Sequence, residues 1–355
     1  MKVSVVAYEQ PDPEGTAAGR ALWAWCEGVI GLGHELEAWS WYPAPPKGPL
    51  PEWCRWQPLD HPPLWRGHLK ALVHPRNESA SPGWEAKPDA VAVADDVPSY
   101  AAVAHSERSV VTVHYRALPD ARAVRRLGPP GIQTSRAERR AGRQAALVLA
   151  FSERVGRGLR RNGRPTRVVP IAYPAPPAAL PLVEEPVAAL IADWSWRPNN
   201  RALTSLLSAW PAVHDAVPGA RLLLAGRHLR QAVGTMPGVE VIGEVGSSIE
   251  VLGRAAVIAF PCPPTSGPKV KVLEAMAHGV PVVTTPAGVE GLVVEPGEGA
   301  MVASRAQFGA ALIGMLLDPE RRAAIGAAGR QAAVRHHDSE PVARARLAGF
   351  ESAFG

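Results

Sequence analysis

Cysteine is nearly absent. The three in 355 residues, Cys26, Cys54 and Cys262, are scattered, lack metal-ligand spacing and cannot all pair with one another. That excludes a disulfide scaffold and a zinc module, and makes a reduced, cytoplasmic setting the expectation. Long apolar runs are missing too, and nothing approaches the roughly 20 residues needed to span a bilayer. The opening MKVSVVAYEQPDPEG carries one lysine and a short apolar stretch before its acids and prolines. This is too brief for a signal-peptide core and reads as a first strand. None of the usual nucleic-acid-binding modules is present, so nucleic acid is not an expected partner.

What remains is ordinary for a globular chain, with 46% hydrophobic and 20% charged residues. A length of 355 residues exceeds one compact core and suits two domains. The net charge of +5 is unevenly spread: His105 to Arg167 holds fifteen arginines against four acids, Glu107, Asp120, Glu138 and Glu153. Such a stretch reads as a solvated helical surface in an Arg-rich sequence. It also reads as a field that attracts a phosphorylated substrate or an anionic membrane face, which would make peripheral membrane contact.

Strand-like runs alternate with helical stretches from end to end, which predicts α/β architecture with parallel sheets. In the first half, residues 3–7 form a strand, a loop with Gly15 and Gly19 follows, and a helix runs over 17–31. GLGHELEAWSW (31–41) turns that helix into the second strand, and later strands fall at 90–94, 110–114 and 146–151. Residues 42–63, dense in proline and tryptophan, read as an irregular excursion. A second proline-dense stretch, 168–186, has no helical period; proline fixes φ and removes a donor, so this reads as a linker. Alternation then restarts with a strand at 187–192, a helix at 200–217, and strands at 220–225, 239–242, 256–261 and 280–284. The expected organisation is a first domain over 1–170, a linker over 171–186 and a second domain over 187–335. A terminal helix over 336–355 would pack back on the first domain. Two αβ halves joined in this way form a cleft, the usual place for a ligand in such sheets.

The stretch most informative about chemistry is AAVIAFPCPPTSGPKVKVLEAMAHGVPVVTTPAGVEGL (255–292). A strand ends near Pro261, and a Gly/Pro/Ser-rich loop feeds a helix starting near Lys269 that Gly279 ends. A loop of this kind presents unpaired N–H groups and the positive end of a dipole, which suits phosphate. Lys269 and Lys271 add charge at the same mouth, and Glu274 follows one turn later, within reach of sugar hydroxyls. The same residues also fit a plain βαβ unit, with Lys271 and Glu274 as an (i, i+3) surface pair.

The run Ser266-Gly267-Pro268-Lys269-Val270-Lys271-Val272-Leu273-Glu274, continuing to Val283, resembles the donor-site helix of retaining glycosyltransferases of family four. Similar to that family too are Gly288-Val289-Glu290-Gly291-Leu292, DWSWRPN (193–199), LLLAG (222–226) and VEVIGEV (239–245). GLGHEL (31–36) and VVTVHY (110–115) match it more loosely. The resemblance implies the GT-B fold, two facing Rossmann-like domains around a central cleft, with the acceptor bound by the first domain and the donor by the second. It further implies transfer of a hexose-type sugar from a nucleoside diphosphate, UDP favoured, to a small or carrier-linked hydroxyl. Retention of anomeric configuration and independence of any metal or other cofactor go with it. The only sequence feature that suggests a metal is Asp95-Asp96, and no His/Cys/Asp cluster supports that reading.

By the same resemblance, the donor would lie on Ser266, Gly267, Pro268, Lys269, Val270 and Lys271, with Glu274 hydrogen-bonding the nucleotide ribose. The family's other glutamate falls on Ser266, so the acid that addresses the transferred sugar is missing, and the basic pair Lys269 and Lys271 resembles a subset with small residues there. The family's loop arginine and lysine are out of register as well; Asp193 and Asn199 stand near their places. Arg197 and Arg227 are the candidates for the missing positive charge. His114 matches a histidine beside the transferred sugar, although a lone histidine at a strand end is often structural. The loop Glu14-Gly15-Thr16 matches one that approaches acceptor and phosphate, and also fits an ordinary βα turn. Tryptophan is concentrated early in the chain and mostly serves packing. Trp53, Trp56 and Trp65, in the excursion, are the candidates for stacking on an acceptor ring. Two rival readings stand beside the transferase: a non-catalytic sugar-nucleotide-binding protein, motivated by Ser266, and a sugar-nucleotide epimerase, which would need a further acid/base pair.

Overall fold

The computed structural model describes the chain except for residues 42–44, 47, 58–83, 86, 124–128, 230–235 and 295–298. Trp65 lies outside the described residues. The chain divides into two compact units. The first comprises Met1–Pro174, Ser266–Pro268 and His337–Gly355; the second comprises Ala175–Thr265 and Lys269–His336.

The first unit runs β1 (Lys2–Ala7), α1 (Ala17–Gly31), β2 (Glu35–Ser40), β3 (Cys54–Trp56), β4 (Ala90–Ala94), α2 (Tyr100–Val103) and β5 (Ser109–Val113). It continues with α3 (Ala117–Ala123), α4 (Pro129–Gln144), β6 (Leu147–Ala150), α5 (Glu153–Arg160) and β7 (Thr166–Val168). The strands lie in the order β3-β2-β1-β4-β5-β6-β7 and pair in parallel. The central strands β4, β5 and β6 are buried at every residue, which is why their sequences read as continuous runs such as AVAVA rather than alternating ones. The 42–63 segment, expected to be irregular, holds β3, paired to β2 through Ala38 with Cys54 and Ser40 with Trp56. A three-residue edge strand is too short to leave a period in the sequence.

The second unit runs β8 (Val187–Ile191), α6 (Arg197–Ala216), β9 (Arg221–Ala225), β10 (Val239–Gly243), α7 (Ser248–Leu252) and β11 (Val257–Phe260). There follow α8 (Val270–Ala277), β12 (Val282–Thr284), β13 (Met301–Val302), α9 (Phe308–Leu317) and α10 (Pro319–His337). Its strands take the order β10-β9-β8-β11-β12-β13, again in parallel. In each sheet the chain order reverses beside the first strand, between β1 and β4 and between β8 and β11. Ligands in open parallel sheets bind outside the carboxyl ends of strands at such a switch point. No described helix is long and apolar enough to cross a membrane.

The last helix, α11 (Ser339–Phe354), belongs to the first unit and packs along α1. Helix α1 starts at Thr16, whose hydroxyl accepts the Gly19 N–H at 3.0 Å, and it buries Leu22, Trp25, Cys26 and Val29. The approach of the two helices depends on Gly28, where any Cβ would run into the Ser339 carbonyl. Gly28→Val should therefore lower stability by about 1–3 kcal/mol through overpacking. Chemical denaturation checks this, and an unchanged midpoint would mean that α1 and α11 do not pack as described.

Candidate active site

In the second unit the chemistry gathers where β11 gives way to α8. Thr284 and Thr285 donate to the carbonyls of Phe260 and Cys262 at 2.6 and 2.7 Å, which fixes the strand's exit. Lys269 is the N-cap residue of α8, with extended backbone, and its carbonyl accepts from Val272 at 2.8 Å. Its side chain supplies no cap to the helix's first N–H groups, so these and the positive end of the dipole coincide with a lysine that is 5% exposed. Two residues on, Lys271 Nζ donates to Asn199 Oδ1 at 2.7 Å and lies 4.6 Å from the centre of the Phe260 ring. Burial penalises its charge and lowers its pKa to about 8.

Asn199 in turn donates to the Asp193 carbonyl at 2.7 Å. The Asp193 carboxylate accepts from the N–H and hydroxyl of Ser195 at 2.9 and 2.6 Å and faces His228 Nδ1 at 3.1 Å and Arg227 at 3.5 Å. His228 holds a left-handed backbone with φ of 61°, an uncommon state for a residue with a side chain, next to this cluster. Glu274 is 4% exposed and accepts the Ser248 hydroxyl at the first turn of α7. It is not the outer half of a surface pair with Lys271, which bonds Asn199 instead. Arg197 is exposed at the first turn of α6, and Asn199, two residues later, is the side chain that reaches Lys271. Asn199 is marked by its place in DWSWRPN, but a contact across 72 positions leaves no local pattern that would pair it with Lys271.

In the first unit the corresponding edge carries the loop after β1, the end of β4 and the end of β5. Thr16 donates to Glu9 at 2.9 Å, and Gly15 donates to the Asp12 carbonyl at 3.2 Å. Asp96 accepts the N–H groups of Tyr8 and Ser99, each at 2.7 Å. His114 directly follows β5, with Nε2 3.6 Å from Asp95 Oδ2. Burial opposes charge on its ring, but the carboxylates of Asp95 and Asp96 outweigh that and raise its pKa. Ser266–Pro268 group with this unit. Ser266 N–H donates to Asp120 at 2.8 Å, and its hydroxyl accepts the Arg116 N–H at 2.8 Å. Gly267 has φ of 77°, and a Cβ there would meet the His114 carbonyl, so only glycine fits beside His114.

The first unit thus brings His114, Ser266 and Gly267 together, while the second assembles Lys269, Lys271 and Glu274, with Arg227 on Asp193. Trp53 is placed elsewhere: it precedes β3, at the amino end of the sheet, and its ring lies 5.3 Å from that of Trp23. Trp56 ends β3 at the sheet's outer edge, with β2 between it and β1.

Residues 185–318 match the family described as group 1 glycosyl transferases. Over 142 residues the chain is 34% identical to a GDP-mannose-dependent monoacylated alpha-(1-6)-phosphatidylinositol monomannoside mannosyltransferase of Corynebacterium glutamicum. That match spans 36% of this chain and 37% of the relative, little more than a third of the relative's length. Among solved structures, sucrose-phosphate synthase of Thermosynechococcus elongatus is similar over 99% of both chains, with a TM-score of 0.74 at 16% identity. Anabaena HepE in complex with UDP-glucose is similar over 99% of this chain and 100% of its own, with a TM-score of 0.68 at 14% identity. Trehalose-6-phosphate synthase OtsA covers 99% of each chain, with a TM-score of 0.68 at 12% identity.

Lys271 is a cation below about pH 8 and neutral above it. A bound diphosphate favours the cation, so its affinity should hold at neutral pH and fall on the alkaline side of that value. The expected loss between roughly pH 7 and pH 9.5 is about ten-fold, the value of one charged hydrogen bond. Calorimetry with UDP measures it, and Lys271→Met should flatten the profile. A profile equally steep in that variant would place the titration elsewhere.

Proposed function

On the footing that residues 185–318 belong to the group 1 glycosyl transferases and that the fold is GT-B, we propose that this protein is a retaining hexosyltransferase. It moves a hexose-type sugar from a nucleoside diphosphate, UDP favoured, to the hydroxyl of a small or carrier-linked acceptor. The observation that carries this reading is the pair of lysines at the start of α8, one of them its N-cap. A leaving diphosphate gains charge as the bond to the sugar breaks, and preorganised cations, N–H groups and a helix dipole are what stabilise it. Lys269, the N–H groups of Lys269 and Val270, and Arg197 supply that charge in our reading; Lys271 and Arg227 add to donor binding, and Glu274 takes the ribose. Ser266, Gly267 and Pro268 form the loop along the donor, with Gly267 allowing close backbone approach to the sugar. His114 orients the sugar, and Gly15 and Thr16 approach the acceptor.

The two named donors among the similar proteins differ in base: the Corynebacterium relative is named for GDP-mannose and HepE was solved with UDP-glucose. A panel of sugar nucleotides assayed by mass spectrometry discriminates them. The arginine ridge of α4, with Arg136, Arg139, Arg140 and Arg143 exposed, favours an acceptor presented at an anionic membrane face. Ser266 supports a second reading, a non-catalytic sugar-nucleotide-binding protein, since its N–H and hydroxyl engage Asp120 and Arg116 where a glutamate is expected. Binding measured by calorimetry without any turnover across the donor panel would favour that reading.

Transfer needs no metal in this account, so it should continue in excess EDTA; activity lost to EDTA and restored by Mg²⁺ or Mn²⁺ would contradict it. The sharper test is Lys269→Ala. Because the charge that Lys269 meets grows toward the transition state, kcat should fall about 100- to 1000-fold while the donor KM changes much less. A folded variant whose kcat drops less than about three-fold would leave Lys269 as a structural lysine.

A further inference from the structure

Arg346 lies on α11 near the end of the chain, yet it is 2% exposed. Its guanidinium sits 4.3 Å from the Trp25 ring centre and 5.1 Å from that of Phe151. Two aromatic side chains, from α1 and from the exit of β6, therefore hold it. Nη1 donates to Asp95 Oδ1 at 3.1 Å, across 251 positions of sequence. The other oxygen of the same carboxylate faces His114 Nε2 at 3.6 Å. Phe151 lies beside both side chains, since its ring centre is also 4.9 Å from that of His114. His114 Nε2 is buried, while its side chain as a whole keeps 27% exposure, so the accessible part of the ring is carried by its other atoms.

We propose that Arg346 is a positioning residue: by holding one oxygen of Asp95 it aims the other at His114 and fixes which edge of that ring is presented outward. The inference rests on the reading of His114 as the residue that orients the transferred sugar. A purely structural role for the pair is a poor fit to the energetics. A buried ion pair contributes little net stability, and an apolar side chain of similar volume would join α11 to the sheet at least as well. What the arginine adds is direction and charge. Arg346 Nε finds no hydrogen-bond partner among the described residues, and beside the two aromatic faces the carboxylate that its charge meets is Asp95.

The charged groups that face the ring are Asp95 and Asp96 at the end of β4, Glu9 after β1, and Arg346 from α11. Burial penalises the charge of Asp95, and His114 and Arg346 outweigh that penalty to hold its carboxyl below the usual range. The carboxylates raise the pKa of His114 and Arg346 lowers it. The signs of two variants follow. Arg346→Met alone removes a positive neighbour, so His114 should titrate at higher pH than in the native protein. Asp95→Asn with Arg346→Met removes the nearest negative charge as well, so His114 should titrate lower than in the native protein.

The experiment combines an NMR titration of the His114 ring, identified by the signal missing in His114→Ala, with steady-state kinetics. The double variant leaves neither partner of the Arg346–Asp95 pair as a lone buried charge, so it is expected to fold even where Arg346→Met does not. It is expected to show the downward titration shift of about one unit, a kcat about ten-fold or more lower, and a donor KM within about two-fold of native, since the donor's charge is held elsewhere. Arg346→Lys, which keeps the charge but not the fork, should recover part of the loss. A folded double variant with native kcat and native His114 titration overturns the proposal. No transfer by the native protein, or full activity in His114→Ala, would instead contradict the function proposed for the site; the upward titration shift in Arg346→Met still tests the Arg346 linkage, and its absence in a folded variant overturns it.

Discussion

The start of α8 in the second unit carries a concentration of positive charge that a folded chain ordinarily avoids. Two lysines two residues apart converge on the N-terminus of one short helix, where the peptide dipole is already positive. Lys271 has a neutral amide and an aromatic face for company, and its lowered pKa records how unfavourable its charge is there. Glu274 and Asp193 offset part of that cost, and a bound anion would offset more. The parallel sheet makes this clustering geometrically available: β8, β9 and β11 run in the same direction, so Asp193 and Asn199 after β8 and Arg227 after β9 leave the sheet at the end where β11 leads to α8.

The first unit solves a different problem with similar topology. Its edge carries carboxylates rather than lysines: Glu9, Asp95 and Asp96, with His114 among them. An acceptor sugar or polyol offers hydroxyls, and carboxylates and imidazole are the side chains that orient hydroxyls. In the reading proposed above, the carboxylates and imidazole of the first unit orient hydroxyls, and the lysines of the second stabilise a leaving diphosphate.

Much of this was legible in the sequence, for identifiable reasons. The helix Ala17–Gly31 and the central strands are placed by the alternation of helical and strand-like runs, the strands being continuous stretches rich in valine and alanine. The loop into α8 could be placed from local spacing, which fits a plain βαβ unit equally well; its reading as a donor site comes from the family resemblance. What escaped were partners brought together by topology. Lys271 finds Asn199 across 72 positions, and Arg346 finds Asp95 across 251; no local period encodes either. Strand β3 was missed because three residues at a sheet edge leave no pattern. In the segment that holds Arg197, it is Asn199 that the start of α6 turns toward Lys271, a pairing that only the fold brings about.

The central claim is that the start of α8 is built for a diphosphate, and it can be tested on the native protein with three ligands. Calorimetric titration with UDP, UMP and uridine separates the phosphates from the nucleoside. The account predicts that affinity falls at each removal of phosphate, with UDP about ten-fold or more tighter than UMP and uridine weakest. Uridine binding as tightly as UDP, or UDP failing to bind at all, would contradict it.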